Sequence, residues 1–262
     1  MILGVHVDQH DPIGEAKARG AQAVQIMLGN PQSFKDVDLR HPGGAEELRQ
    51  EAREANVDIY VHSHYVINVA STNNRVRIPS RKLLQRIIDG SAEIGAKGVV
   101  VHGGHVAADD ELETGFDNWR KCIDGLDLAV PVLIENTAGG KFAMARGLER
   151  LEKLWNALRA ADGYESVGFC LDTCHAFAGG EELTGLADRV RTITGRIDLV
   201  HANDSQGEFN SGVDRHANLG DGQIPPEELA TVIREAAAPI ILETPGGVEG
   251  HLADLAWLRE RL

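Results

Sequence analysis

Histidine and carboxylate side chains stand at the ends of six short apolar runs, and one long loop carries two more. These residues are His62, His102, Glu135, Asp172 with His175 three positions later, His201, Glu243 and, in the loop, Asp214 and His216. In an extended VDRH segment, the spacing of Asp214 and His216 puts both side chains on the same side. Five histidines and four carboxylates without paired thiolates form the ligand set expected of zinc or another borderline divalent ion. A carboxylate can also bridge two ions, which a histidine cannot do.

Each of these residues, taken alone, has an ordinary explanation. A single histidine at a strand end is usually a hydrogen-bonded polar residue at the edge of the core, and a single glutamate usually caps a helix or pairs with a base. Nine such residues together are different, because charged side chains are almost never buried unless they are paired or metal-bound. The set therefore predicts a metal centre.

Other polar residues are interpreted differently. Three histidines are predicted to be solvated: His10, His41 and His251. Two more lie beside ligand positions and are either hydrogen-bond donors to the ligands or simply exposed: His64 and His105. Cys174 is predicted to be a small packing residue, because its direction alternates away from its neighbours. The glycine pairs form neither a GxGxxG nor a Walker pattern, so a nucleotide cofactor is not supported.

The scaffold for these side chains is predicted from alternating patterns along the chain. Eight short apolar runs indicate strands: Ile2–Val7, Ala23–Met27, Asp58–His62, Gly98–His102, Pro131–Glu135, Val167–Asp172, Ile197–His201 and Ile240–Glu243. Seven amphipathic stretches indicate helices: Glu46–Ala55, Arg81–Ile94, Asp117–Leu126, Gly147–Arg159, Leu183–Ile193, Pro226–Ala236 and Val248–Leu262. Repeated strand-then-helix units predict an α/β fold, a (β/α)8 TIM barrel, rather than an open doubly wound sheet. The carboxyl ends of barrel strands converge on one face, which would gather the nine residues into a single cleft.

The barrel is predicted to occupy residues 1–262 as one domain, because the last strand-then-helix unit ends at the C-terminus. The stretch from Asp204 to Ile224 is longer than a typical connecting loop, so it is predicted to be functional or mobile. No apolar run approaches the roughly 20 residues that span a bilayer, so no membrane association is expected. Three cysteines form no disulfide framework, which favours a reducing cytoplasm.

The formal net charge of −14 argues at first against a nucleic-acid partner, because phosphate binding needs local positive potential. Net charge says little about the potential inside one cleft, however. Several bound divalent ions would themselves make such a cleft positive. The charge is therefore a caution against a DNA substrate and does not exclude one.

Five segments of the chain resemble the signature segments of the endonuclease IV family of zinc-dependent apurinic/apyrimidinic endonucleases. They are CLDTCHAF, IENTAG, HANDS, VDRHANLGDG and LETPG, and the resemblance runs in unbroken order from the first strand to about Gly246. It implies three Zn²⁺ ions, although Mn²⁺ or Fe²⁺ could occupy part of the site. The implied ligands are His62 and His102 for one ion, Asp172, His201 and Glu243 for a second, Glu135 bridging these two, and His175, Asp214 and His216 for the third.

The resemblance also implies an activity. The expected reaction is hydrolysis of the phosphodiester 5′ to an abasic site in double-stranded DNA by a zinc-bound hydroxide, leaving a 3′-hydroxyl and a 5′-deoxyribose phosphate. Glu135 is the expected catalytic residue, and Tyr65 matches a family position that packs at the lesion. Four basic residues in the same loops are candidate phosphate contacts or solvated charges: Arg75, Arg77, Lys141 and Arg215. A monomer would suffice for a site on one face of a barrel.

Two segments depart from the family pattern. VDQHDPIG replaces the usual Ser-x-x-Gly-Gly segment after the first strand, and MLGNPQSFKD after the second strand lacks the usual arginine. Both belong to substrate recognition and not to the metal site. The main alternative is a metal-dependent sugar isomerase or epimerase of the related xylose-isomerase-like barrels, because one barrel fold hosts many chemistries. Such an enzyme needs one or two metals and has no use for the third site.

Overall fold

Eight parallel strands close into a barrel in the computed structural model, which describes residues 1–262. The barrel strands are β1 (Leu3–His6), β2 (Ala23–Ile26), β3 (Asp58–His62), β4 (Val99–His102), β5 (Val132–Glu135), β6 (Val167–Asp172), β7 (Leu199–His201) and β10 (Ile240–Leu242). Each barrel strand pairs with the next barrel strand along the chain, so that β7 pairs with β10. The ring is closed because β1 pairs with both β2 and β10. The predicted TIM barrel is confirmed, and the eight predicted runs contain the eight strands.

Nine helices pack around or beside the strands. They are α1 (Pro12–Arg19), α2 (Gly44–Ala55), α3 (Asn74–Glu93), α4 (Leu112–Ile123), α5 (Leu148–Leu158), α6 (Thr173–Gly179), α7 (Leu186–Thr194), α8 (Pro226–Ala236) and α9 (Gly247–Arg261), with a 3₁₀ turn at Tyr164–Ser166. The sequence patterns did not predict α1 or α6. They also placed the start of α3 seven residues late, because the helix runs through Pro79, where a break would be expected. None of the helices is long and apolar enough to cross a membrane.

The long segment after β7 contains a two-stranded antiparallel hairpin, β8 (Asp204–Ser205) and β9 (His216–Ala217). The buried carboxylate of Asp204 anchors this segment, because its two oxygens accept hydrogen bonds from four backbone N–H groups. The donors are Ser205, Gly220, Gly222 and Ile224, at 2.7–3.1 Å. These hydrogen bonds give the long segment a defined structure beside the barrel strands.

Side-chain alternation divides the barrel strands into an outward set and an inward set. Outward residues such as Val99 and Val101 pack with the helices in the main hydrophobic core. Inward residues form a separate small apolar layer inside the barrel: Ala23, Tyr60, Val100, Leu133, Cys170, Leu199 and Ile241. At the equivalent position of β1, Gly4 leaves room for Ile241, whose Cδ1 would lie 2.6 Å from an added Cβ. This layer closes the floor beneath the carboxyl ends of the strands.

Candidate metal centre

One polar side chain from each barrel strand stands above the inward apolar layer. Each follows its apolar neighbour by two residues, so strand alternation points it to the same interior. The eight residues of this strand-end ring are His6, Gln25, His62, His102, Glu135, Asp172, His201 and Glu243. Strand register places His102 beside Glu135 and Asp172 beside His201. Six members of the ring are residues that the sequence predicted as ligands.

Glu135 occupies the centre of the ring and is fully buried. Four histidine nitrogens lie within 3.3 Å of its oxygens: Nε2 of His62 at 3.3 Å, Nε2 of His102 at 3.2 Å, Nδ1 of His175 at 3.2 Å and Nδ1 of His201 at 3.1 Å. Burial alone would raise the pKa of Glu135, but His201 and His102 hold that pKa well below its ordinary value. The glutamate is therefore ionised and shared among several neighbours, as a bridging ligand must be.

His175 joins the site because Asp172 starts a helix. The Oδ1 atom of Asp172 accepts a 2.7 Å hydrogen bond from the backbone N–H of His175, which caps the N-terminus of α6. The imidazole thereby projects beside Asp172, and burial, which would lower its pKa, is outweighed by Asp172 and Asp214, so the pKa of His175 lies well above 6.5. The seven-residue helix α6 thus places His175 at the barrel mouth.

The β8–β9 hairpin adds Asp214 and His216. Asp214 Oδ1 lies 3.0 Å from Nε2 of His175 and 3.6 Å from Nε2 of His216. The pKa of Asp214 is lowered to about 2, chiefly by its contact with His175 and against the effect of burial. The structure therefore brings all nine predicted ligands into one centre.

Three groups of ligand atoms within the centre are compact enough to hold an ion. In each group the candidate atoms lie within 4.8 Å of one another: His62, His102 and Glu135; Glu135, Asp172, His201 and Glu243; and Asp172, His175 and His216. The buried Nε2 atom of His216 has no hydrogen-bond partner, which costs free energy unless another group satisfies it. A nitrogen lone pair in such a place fits a divalent cation, so the donor set fits three metal ions.

Amide side chains hold the ligands in place, and the sequence analysis missed them. Asn203 donates to Asp172 Oδ2 at 2.8 Å, and its oxygen accepts the backbone N–H of Glu243 at 2.9 Å. Asn136 forms two hydrogen bonds with the backbone of Asp172, at 2.8 and 2.9 Å. Such partners fix the orientation of metal ligands. Their signal in the sequence was position: each follows or neighbours a predicted ligand at a strand end.

His6 and Gln25 complete the strand-end ring and were missed too. Gln25 is fully buried and contacts Glu243 and His201. Burial lowers the pKa of His6 to about 4, so its ring is neutral at pH 7. Burial alone would raise the pKa of Glu243, but His201 and His62 lower it to about 2. Two-residue alternation from Gly4 and Ala23 is the signal that could have found both residues.

None of the predicted DNA contacts belongs to the three ligand groups. Tyr65 is 54 % exposed, and its ring centroid lies 5.7 Å from that of His62. Arg77 donates to the carbonyl of Ser71 at 3.0 Å, so it is tied to the start of α3. Lys141 lies over the ring of Phe142. The two remaining basic residues are exposed: Arg75 and Arg215.

Two histidines that the sequence analysis predicted to be solvated are buried, so those predictions were wrong. His41 pairs with Glu51 at 3.3 Å, and His251 accepts a 3.0 Å hydrogen bond from Arg19. These partners supply the polar contacts that solvent would have supplied. His10 is exposed, as predicted.

The residues that flank the predicted ligands act locally. His64 is buried between the carbonyls of Ser33 and Leu28, so it joins two loops and does not touch a ligand. His105 is exposed. Cys174 is fully buried, and burial raises the pKa of its thiol to about 12, as expected of a packing residue.

Comparison with known proteins gives relatives over the full length of the chain. A family profile described as xylose isomerase-like TIM barrel matches residues 13–261. A protein of Mycobacterium ulcerans named "Probable endonuclease 4" is 53 % identical over 262 residues, covering 100 % of this chain and 99 % of the relative. The crystal structure of endonuclease IV from Thermus thermophilus superposes with a TM-score of 0.84 at 29 % identity, covering 99 % of this chain and 100 % of that one. A D-tagatose 3-epimerase-like protein superposes with a TM-score of 0.80 at 21 % identity, covering 100 % of this chain and 97 % of that one, which shows a shared fold alone.

Proposed function

The chain belongs to the endonuclease IV family, and we propose that it hydrolyses the phosphodiester bond 5′ to an abasic site in double-stranded DNA. The products would be a 3′-hydroxyl and a 5′-deoxyribose phosphate. The observation that carries this proposal is the arrangement of three ligand groups around Glu135 and Asp172 at the barrel mouth. Each of these two carboxylates belongs to two groups, which would keep the ions close enough to act on one phosphate.

The ions that fit these ligands best are zinc, because the donors are imidazole and carboxylate in compact groups. His62, His102 and Glu135 would hold one ion, and Asp172, His201, Glu243 and Glu135 a second. His175, His216 and Asp214 would hold the third, with Asp172 beside them. Zinc bound there would lower the pKa of a coordinated water from 15.7 to about 7 and offset negative charge on the phosphate.

The protein groups around the ions would orient the substrate. Tyr65 is half-exposed beside His62, where it can pack against a sugar that lacks its base. An open cavity of about 700 Å³ beside the centre is lined in part by Tyr65, His216 and Glu243, and it gives room for a rotated nucleotide. Rotating a nucleotide out of the duplex costs least where no base is stacked or paired. Preference for abasic sites follows from that difference in cost.

Incision of a duplex oligonucleotide that carries one tetrahydrofuran abasic analogue tests the proposal. The protein is purified, its zinc content is measured, and no magnesium is added. We expect a single cut immediately 5′ to the analogue with a 3′-hydroxyl end, and no cut in the undamaged duplex. If protein that binds three zinc ions does not cleave this duplex, abasic DNA is not the substrate, although the proposal of a three-zinc centre still stands.

A metal-dependent sugar isomerase or epimerase is the alternative that the same fold allows. The shared fold with the epimerase-like protein supports it only at the level of architecture. Moving a proton between sugar carbons needs one or two metals and acid–base groups, so Asp214 and His216 would have no task. Metal stoichiometry separates the two functions: one ion per chain favours the isomerase, and three favour the nuclease.

A further inference from the structure

Gln25 is the one member of the strand-end ring that is neither a histidine nor a carboxylate. It lies on β2, two residues beyond Ala23, and its side chain is fully buried. Its amide makes three contacts: Nε2 is 2.6 Å from Oε1 of Glu243 and 3.0 Å from Nδ1 of His6, and Oε1 is 2.8 Å from Nε2 of His201. A buried amide with three polar partners, two of them candidate ligands, is placed to control those ligands.

The hydrogen-bond directions follow from the chemistry of the partners. An ionised carboxylate can only accept, so the NH₂ group of Gln25 must face Glu243. The amide oxygen then faces Nε2 of His201, and that ring nitrogen must carry the proton. In the neutral ring that would bind a metal, the lone pair of His201 is left on Nδ1, which lies 3.1 Å from Oε1 of Glu135 and 3.3 Å from Oε2 of Glu243. Gln25 therefore determines which nitrogen of His201 points at the other ligands.

Two other histidines of the centre are oriented in the opposite sense. His62 and His175 each place Nδ1 near a backbone carbonyl, that of Ser63 at 2.7 Å and that of Asn136 at 3.0 Å. Their Nε2 atoms face Glu135 and Asp214 respectively. A backbone carbonyl cannot be removed by substitution, but the partner of His201 is a side chain. The tautomer of His201 can therefore be changed by a single mutation.

We propose that Gln25 is the positioning residue of the ion held by Asp172, His201 and Glu243. It fixes the Nε2–H tautomer of His201, so that Nδ1 is the ligand atom, and it holds Oε1 of Glu243 so that Oε2 faces the ion. This inference rests on the proposed function, since it needs a metal in that group. Groups that orient metal ligands typically change metal affinity by about 10–100-fold when they are removed. The same loss is expected at this one ion when Gln25 is replaced.

Three variants separate the role of Gln25 from general packing. Gln25→Leu keeps the approximate size and removes both the donor and the acceptor. Gln25→Glu keeps an acceptor for His201 and removes the donor to Glu243. Gln9→Leu is the matched control, because Gln9 is also buried and also makes three hydrogen bonds, two with Gly29 and one from the backbone of Arg40. None of the three hydrogen bonds of Gln9 involves a candidate metal ligand.

Zinc binding to the full-length chain is measured by equilibrium dialysis against a chelator of known affinity, with circular dichroism to show that each variant is folded. Long-range ¹H–¹⁵N correlation of the zinc-loaded, histidine-labelled protein shows which nitrogen of His201 carries the proton. We expect Gln25→Leu to bind one of three ions about 10–100-fold more weakly and to lose the single Nε2–H form. Gln25→Glu should retain that form, and Gln9→Leu should bind three ions with unchanged affinity.

The possible failures are distinguishable. If the unsubstituted chain binds no zinc, the proposed function fails and this inference fails with it. If it binds three ions and Gln25→Leu binds them equally tightly with His201 still protonated on Nε2, only the role of Gln25 is refuted. If Gln9→Leu weakens zinc binding as much as Gln25→Leu does, general packing explains the loss and the inference is again refuted.

Discussion

Replacing Glu135 by glutamine tests the metal centre at its most shared ligand. The substitution keeps the shape of the side chain and removes its charge and one of its two ligand oxygens. Because Glu135 belongs to two of the three ligand groups, the change would leave the ion of His62 and His102 with two strong protein ligands. The ion of Asp172, His201 and Glu243 would keep three. The first ion should therefore be lost before the second.

The size of the loss can be worked from the ligand count. A structural zinc site contributes roughly 10–16 kcal/mol of apparent binding free energy from four ligands, or about 2.5–4 kcal/mol for each. A factor of ten in affinity corresponds to about 1.4 kcal/mol. One ligand is thus worth about two to three powers of ten, and the amide oxygen that remains is a weak substitute. We expect affinity for one ion to fall at least about 100-fold, and incision of abasic DNA to fall by a similar factor or more.

The assay measures zinc per chain after dialysis and incision of the tetrahydrofuran duplex by the same protein. Glu181→Gln is the matched control, because Glu181 accepts the backbone N–H of Leu148 at 2.9 Å, pairs with Arg189 and belongs to none of the ligand groups. That variant should keep three ions and full incision. If Glu135→Gln retains three ions and the activity of the unsubstituted protein, the bridging role of Glu135 is wrong.

Three further predictions follow from the same contacts. The Asp214→Asn variant should bind two zinc ions instead of three. Its free energy of unfolding without metal should change by no more than about 1 kcal/mol, because this side chain is half-exposed. A variant that still binds three zinc ions would refute the ligand role of Asp214. Asp204→Ala should lower the free energy of unfolding, measured by urea titration, by about 3 kcal/mol or more, because it leaves four backbone N–H groups without their acceptor. A loss below about 1 kcal/mol would contradict this. In the protein freed of metal by a chelator, the raised pKa of His175 stabilises the fold below pH 6.5, and this stability is lost as the pH rises through the raised value. The pKa of Glu243, lowered to about 2, stabilises the fold above pH 4.5, and this stability is lost as the pH falls toward 2. Because zinc replaces the proton on His175, the difference in Tm between zinc-loaded and chelated protein should grow from about pH 6 to pH 8, and a constant difference would refute the competition.

The barrel and the convergence of the ligands could be predicted because both depend on simple periodicity. A strand-then-helix repeat leaves few topologies open, and a closed parallel barrel puts every strand's carboxyl end on one face. His62, His102 and Glu135 are more than 30 residues apart in sequence, yet each ends its strand. Their meeting therefore required no knowledge of side-chain packing.

The short elements at the barrel mouth were harder to predict. Helix α6 has only seven residues, too few for a hydrophobic period to show, and its start depends on the capping contact between Asp172 and His175. The two-residue strands of the β8–β9 hairpin carry no alternation that can be counted. These elements depend on hydrogen bonds that the carboxylates of Asp172 and Asp204 accept from backbone N–H groups, and such bonds leave almost no trace in composition.

Gln25 and His6 show a different limit of the sequence analysis. Both occupy the inward position of a strand end, so alternation alone indicated them as clearly as it indicated His62. Glutamine is not among the usual ligands of zinc, so a pattern of metal ligands does not include Gln25. The burial of His251 could not be predicted at all, since its partner Arg19 lies 232 residues away in the chain. Roles that depend on such a partner become visible only when the fold is known.

The acidic charge of the chain and a phosphodiester substrate are compatible once the charges are placed. Four carboxylates are concentrated in the centre itself: Glu135, Asp172, Asp214 and Glu243. Three divalent ions would bring six positive charges against these four negative ones, a net local charge of about +2. Apart from the buried Asp204 and Asp254, the other acidic side chains are at least partly exposed, where solvent and salt screen them beyond about 10 Å. A chain with a formal net charge of −14 can therefore present a positive centre to a phosphate, because the residues that make it acidic are partly those that hold the cations.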